Sequence, residues 1–220
     1  GLAAGERAED ARRSARPAVT DGHNYHSPRF SRDGRRIAVD FTTIDGRDVW
    51  LVDLASRAMT RTTFNRDGHD ASWEPDGRSL SFISAREGVL GVHRITPGST
   101  APAESLLTSP QLSYTGIWLP DGSAIVTAAT ALVPGSRADI GIVRNAGRGP
   151  IEPLVATRFD EMFPAVSPDG RSAVSGGRDH SLLVWDLETG QARRALANQD
   201  AHTRALFLTP DGRRVVSIQL

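Results

Sequence analysis

The stretch "SPDGR" (Ser167–Arg171) decides how this chain is read, because it is spelled five times. Near-copies are "SRDGR" (31–35), "EPDGR" (74–78), "LPDGS" (119–123) and "TPDGR" (209–213). Aligned on Asp33, Asp76, Asp121, Asp169 and Asp211, they stand 43, 45, 48 and 42 residues apart. A period in the low forties suits a four-stranded propeller blade and also some helical repeats. The flanking columns choose between them. Three residues before each aspartate stand Phe30, Trp73, Trp118, Val166 and Leu208, and four after stand Ile37, Leu80, Ile125, Ala173 and Val215. Five before stand Pro28, Ala71, Gly116, Pro164 and Leu206, mostly small or stiff. Apolar positions two apart on either side of a tight turn describe a hairpin.

The turn follows from its residues. Proline presets φ for the first corner, and aspartate bonds nearby backbone at the next. Glycine, present in all five copies (Gly34, Gly77, Gly122, Gly170, Gly212), takes the left-handed conformation that closes a three-residue hairpin with a bulge. Two further strands complete each repeat. In the first, "RRIAVDFTT", "DVWLVDL" and "MTRTTF" follow the turn; the fifth runs through "RVVSIQL" and stops.

The expected architecture is all-β: a propeller of four-stranded antiparallel blades, about 4.5 of them. The blades span 23–65, 66–108, 109–157, 158–198 and an incomplete 199–220. Residues 1–22 form a tail or short helix, with 15–20 as a possible closing strand. An unpaired end blade would expose an apolar face that soluble monomers rarely leave bare. Two readings follow: a five-bladed ring with a defective closing blade, or a piece of a six- to eight-bladed propeller. The mid-blade ending favours the second, and it leaves self-association through the incomplete blade open.

Composition narrows function. The 26 basic residues, all arginine, balance 26 acidic ones, so the basic excess of a nucleic-acid binder is missing. There is no cysteine, hence no disulfide, thiolate zinc site or thiol nucleophile. No apolar run approaches the ~20 residues of a spanning helix. "GLAAGERAEDARR" at the start lacks the apolar core of a signal peptide, and the compartment, cytoplasm or periplasm, stays open.

"HSPRFSRDGRRIAV" (26–39), "HDASWEPDGRSLSF" (69–82), "SYTGIWLPDGSAIV" (113–126) and "DEMFPAVSPDGRSAV" (160–174) resemble TolB-type propeller repeats. That family includes the propellers of prolyl-oligopeptidase-like enzymes and the sensor halves of some bacterial kinases. "SGGRDHSLLVWDLETGQARRAL" (175–196) and "AHTRALFLTPDGRRVVS" (201–217) are similar to WD-repeat blades. Resemblance to the WD hydrogen-bond relay implies roles for Ser175, Asp179 and Trp185, while Arg158–Asp160 stand where its histidine belongs. The relay is therefore expected to be incomplete, and His202 is left unassigned.

Loops joining blades, and those between second and third strands, gather on the face where propellers bind. Asp45, Arg47, His69, Asp70, Arg86, Glu87, Asp160, Glu161, Arg178, Asp179 and His180 are expected there. Most are read as a solvated rim around a protein- or peptide-binding surface. No catalytic, cofactor-binding or metal-binding set is expected. Neighbours such as His69 and Asp70 point to opposite strand faces and seldom chelate one ion. There is no GxSxG elbow and no phosphate-cradling glycine loop. A glycosidase would need converging carboxylates, and only Asp70, Asp160 and Glu161 lie near the axis. The readings rank as a non-catalytic binding or scaffold module, then an accessory propeller of a peptidase or kinase, then a five-bladed glycosidase. The four tryptophans are read as packing between blades.

Overall fold

The computed structural model describes residues 22–85, 88–114, 116–155, 160–177, 181–196 and 203–219. The chain forms five successive antiparallel sheets. Sheet one holds β1 (His26–Phe30), β2 (Arg36–Thr43), β3 (Gly46–Asp53) and β4 (Met59–Arg61). Sheet two holds β5 (His69–Trp73), β6 (Leu80–Ser84), β7 (Gly91–Ile95) and β8 (Glu104–Thr108). Sheet three holds β9 (Ile117–Trp118), β10 (Ile125–Thr130), β11 (Ala138–Val143) and β12 (Ile151–Val155). Sheet four holds β13 (Glu161–Val166), β14 (Ser172–Gly177), β15 (Leu182–Asp186) and β16 (Ala192–Leu196). The fifth pairs only β17 (Thr203–Leu208) with β18 (Val215–Gln219). Strands within each sheet follow chain order, so each is a meander. One helical turn, Arg144–Gly147, joins β11 to β12, and its Asn145 and Ala146 both have φ of 54°.

The repeated turn does what its residues dictate. All five glycines lie at φ between 67° and 75°. Each donates its N–H to the residue three back, as Gly34 does to Ser31 O at 2.9 Å. Each aspartate accepts the amide two residues on; Arg35 N reaches Asp33 Oδ1 at 3.0 Å. In one respect the turn differs from expectation. The Ser31 N–H bonds Arg36 O at 2.8 Å, so four residues lie inside the loop, not three. The aspartate side chain claims the amide two residues on, and the extra residue makes room for that bond.

The turns also touch one another. A Cβ on Gly122 would stand 3.8 Å from Pro75, one on Gly170 3.1 Å from Pro120, and one on Gly212 3.4 Å from Pro168. The proline of one turn thus lies against the glycine of the next. Sheet one has Arg32 in the proline's place, and its Nη1 bonds Pro75 O at 3.2 Å.

The core lies between sheets. Ala38, Val49 and Leu51 of sheet one meet Ala71, Leu80 and Phe82 of sheet two. Ile83, Val92 and Leu107 meet Trp118, Ile125 and Val143. Val126, Ala128 and Ile140 meet Ala173 and Trp185, and Val174 and Leu182 meet Leu206. Tryptophan marks two junctions: Trp73 Nε1 donates to Arg29 O at 3.0 Å, and Trp118 Nε1 to Ser81 Oγ at 2.9 Å. Arg36 and Arg94 each lay a guanidinium over the next sheet's tryptophan. Fifth and first sheets approach each other at Arg29, whose guanidinium stands 5.6 Å from the Phe207 ring centroid. This is a β-propeller arrangement of four full blades and a two-stranded fifth.

Candidate functional site

Because every sheet is a meander, the five glycine turns share one side. The β2–β3 and β6–β7 loops and the links between sheets share the other. On that other side stand three of the large apolar residues left exposed: Ile44 (104%), Phe64 (68%) and Val89 (41%). Ile44 tips the β2–β3 hairpin, Phe64 lies in the β4–β5 link, and Val89 in the β6–β7 loop.

Hydrogen bonds tie these three segments together. Arg47 N bonds Arg66 O at 3.0 Å, and Arg47 bridges to Asp67, which fastens the hairpin to the link. Asp67 then accepts from Ser84 Oγ and Ala85 N, both at 2.8 Å, which fastens the link to the next loop. The approach is so close that a Cβ on Gly46 would lie 2.4 Å from Arg66 O, and Gly46 sits at φ 126°. Below the link, buried Asp48 accepts from Thr63 Oγ1 at 2.7 Å and pairs with Arg61. Arg61 also lies over the Phe64 ring at 5.3 Å.

A second network joins blades one and two. Asp40, fully buried on β2, accepts from Arg47 Nε at 2.5 Å and from the Asp70 amide at 3.0 Å. Asp70 Oδ1 accepts from Ser27 Oγ at 2.6 Å. Burial pushes the Asp40 carboxyl above its ordinary pKa, against the Arg47 charge that holds it down. Ser27, Asp70 and Phe163 stand six residues before their turn aspartates, and all have positive φ (46°, 50°, 55°). Strand pairing slips there in each case, so the inner strand bulges. The bulge at Asp70 aims its amide at Asp40, a use that bulges near functional surfaces often have.

The expected site residues divide. Asp45 is exposed at the hairpin tip, beside Ile44. Arg47, His69 and Asp70 are half-buried and spent on the networks above; His69 Nδ1 lies 2.8 Å from Asp67 O. Asp160 and Glu161 are buried. Arg137 approaches Asp160 at 3.8 Å. Arg86, Glu87, Arg178, Asp179 and His180 lie outside the described residues, as do the leading segment 1–21, Arg158 and His202. No group of three or more His, Asp or Glu is arranged to hold a metal among the described residues.

Glu161 has a role that the spacing did not show. Trp185 Nε1 donates to Ser175 Oγ at 2.8 Å, and that hydroxyl donates to Glu161 Oε2 at 2.5 Å. A glutamate one residue beyond Asp160 thus ends the chain of bonds where a WD relay places histidine. Ile44, Phe64 and Val89 lie outside the charged set expected on this face. Their signal was local: an apolar residue at a turn tip, out of step with strand alternation.

Sheets wound into a propeller, with an apolar-and-charged loop side braced by hydrogen bonds, define a repeat protein of the β-propeller class. This chain belongs to the TolB beta propeller domain family, whose model matches residues 9–180. Relatives include the uncharacterized peptidase YuxL of Bacillus subtilis, 23% identical across 86% of this chain and 28% of its own length. The Tol-Pal system protein TolB of Francisella tularensis is 30% identical across 46% of this chain and 24% of its own. An uncharacterized WD repeat-containing protein of Synechocystis is 28% identical across 65% of this chain. The chain thus spans 28% or less of the first two of these relatives. Among solved structures, a putative TolB from Agrobacterium tumefaciens superposes with a TM-score of 0.72 at 18% identity, over 91% of this chain and 78% of that one. TolB from Acinetobacter baumannii gives 0.65 at 24%, over 79% and 43%. At such identities the structural likeness concerns the fold.

Proposed function

We propose that this chain is a non-catalytic propeller module that holds a protein or peptide partner on its loop side. The observation that carries the reading is the gathering of Ile44, Phe64 and Val89 on one braced platform among charged groups. Protein interfaces combine apolar anchors with a polar rim, and a few anchors supply most of the binding energy. Bracing lowers the ordering cost of binding. TolB-family membership supports a binding role. The test is capture of a partner by the whole chain, compared with an Ile44→Asp/Phe64→Asp variant. The partner is lost from this variant and kept by a turn-side control, Arg35→Glu; equal capture by both variants refutes the reading. His69 and Asp70 make poorer probes, because Asp70 also braces the blade junction.

The similarity to a peptidase across 86% of this chain favours a second reading, a propeller accessory to a larger enzyme. A hydrolase domain encoded in the same open reading frame supports it. Glycoside hydrolysis receives no support from the carboxylates described: Glu161 is buried against Ser175, and Asp70 accepts from Ser27.

A further inference from the structure

The loop side is unequal in charge. Among the described residues, Asp45, Asp67 and Asp139 stand there without an ion-pair partner, and Arg66 is the one cation there without one. Arg47 serves two carboxylates, Asp40 at 2.5 Å and Asp70 at 3.9 Å. The whole chain is neutral, 26 basic residues to 26 acidic, so this surplus comes from placement. The donors to Asp67 are a hydroxyl and an amide, which orient its charge and do not cancel it. Asp139 is fully buried where β11 begins. Its Oδ2 accepts from the Leu132 amide at 3.2 Å and from the Ser136 hydroxyl, while its Oδ1 has no hydrogen-bond partner. Charges of one sign gathered on low-dielectric walls act beyond their own contacts and draw in the opposite sign.

The exposed groups say where the opposite sign meets the surface. Ile44 and Phe64 each stand three residues before a bridged position, Arg47 and Asp67 respectively. Asp45 follows Ile44 at the hairpin tip, exposed, with its amide held by Thr43 Oγ1 at 3.2 Å. Its carboxylate is thus presented beside an apolar anchor on a fixed backbone. We propose that the loop platform takes a basic segment of a partner protein. This rests on the reading of that side as a binding platform and adds the chemistry of the partner. Apolar side chains of the segment cover Ile44, Phe64 and Val89, and an ammonium or guanidinium between them meets Asp45. Asp67 and Asp139 favour the approach without touching the segment. An acidic segment meets Arg66 and is otherwise repelled. Such complementarity sets partner choice and association rate more than raw affinity.

The experiment uses the whole 220-residue chain and two hexapeptides with the same neutral fluorophore, one alternating leucine and lysine, the other leucine and glutamate. Fluorescence anisotropy reads affinity, and hydrogen exchange reads the amides of residues 45–47 and 65–67. The leucine–lysine peptide binds saturably, slows exchange in both stretches, and binds roughly tenfold or more tighter than the leucine–glutamate peptide. A serine–lysine peptide binds more weakly, because the apolar contacts are gone. The preference shrinks in about 0.5 M salt, where charges are screened beyond ~4 Å. Asp45→Arg cuts the preference roughly threefold or more, because an attraction becomes a repulsion. The substituted side chain is exposed, and unchanged urea unfolding confirms that the variant folds. Equal affinity for the two peptides overturns the proposal, as does a preference unchanged by Asp45→Arg. Binding without protection of these stretches, or no binding by either peptide, overturns it too. This failure is distinct from that of the platform itself. Equal protection by both peptides removes the charge assignment and keeps the platform, which the Ile44→Asp/Phe64→Asp capture experiment decides.

Discussion

Replacing Ser175 by alanine is the sharpest local test of this structure. Its hydroxyl accepts from Trp185 and donates to Glu161, and the three residues are 1%, 6% and 0% exposed. Water cannot easily replace what is lost. A neutral hydrogen bond contributes about 1 kcal/mol net, and one to a charged group about 1.5–3 kcal/mol. Leaving a buried carboxylate with one donor fewer adds to the cost, while the missing oxygen leaves only a small void. The sum is about 3 kcal/mol, a large fraction of the ~5–15 kcal/mol of a typical domain. With a urea slope near 2 kcal/mol/M, the midpoint falls by about 1.5 M. Ser175→Thr keeps the hydroxyl and recovers part of that loss. A double-mutant cycle with Trp185→Phe shows coupling of at least 0.5 kcal/mol, since the two share one bond. A loss below 0.5 kcal/mol for Ser175→Ala, or strict additivity in the cycle, refutes the relay as a source of stability.

Three further outcomes follow from other parts of the molecule. Gly170→Ala lowers stability more than Gly34→Ala in urea titrations: both lie at positive φ, but only at 170 would the new Cβ meet a neighbouring proline, at 3.1 Å. The φ penalty alone is about 1 kcal/mol. Asp40→Ala costs about 2–3 kcal/mol, because it strands the Asp70 amide and a half-buried Arg47; equal stability of variant and wild type counts against that network. Asp186 has its pKa lowered to about 2, chiefly by the Thr189 amide and then by Arg193. Its folded value lies below the unfolded one, so its stabilising contribution is present above about pH 4 and lost as pH falls toward 2. An Asp186→Asn variant therefore shows a shallower loss of stability between pH 4 and 2, and an unchanged acid limb contradicts this.

What was legible in the sequence is what the period carries. The five Asp-Gly corners and the apolar columns around them placed the strands, and the sheets form where those columns put them. Their reason for recurring was only half legible. The positive φ of each glycine could be read from its turn, but the second duty of Gly122, Gly170 and Gly212, accepting the proline of the preceding turn, belongs to contacts more than forty residues apart. The candidate surface was less legible. Charge is a poor mark of function here: Arg47 and Asp70 are spent on Asp40, and Glu161 on Ser175. The bulge that aims the Asp70 amide at Asp40 leaves no fixed residue type behind: serine, aspartate and phenylalanine all occupy that position. Exposed apolar side chains at loop tips were the better sign, because nothing in a hairpin requires Ile44 to be apolar.

The sheets turn about a common centre rather than stack in a row, and distances between their turns test this. Single cysteines are easily introduced, since the chain has none of its own. Spin labels at Arg35 and Arg171, and separately at Arg35 and Arg213, report the distances from the first turn to the fourth and to the fifth by pulsed electron paramagnetic resonance. Rotation about a centre, with Arg29 reaching Phe207, makes the first-to-fifth distance the shorter of the two. In a linear stack each sheet adds ~10 Å, and the first-to-fifth distance is then the longer.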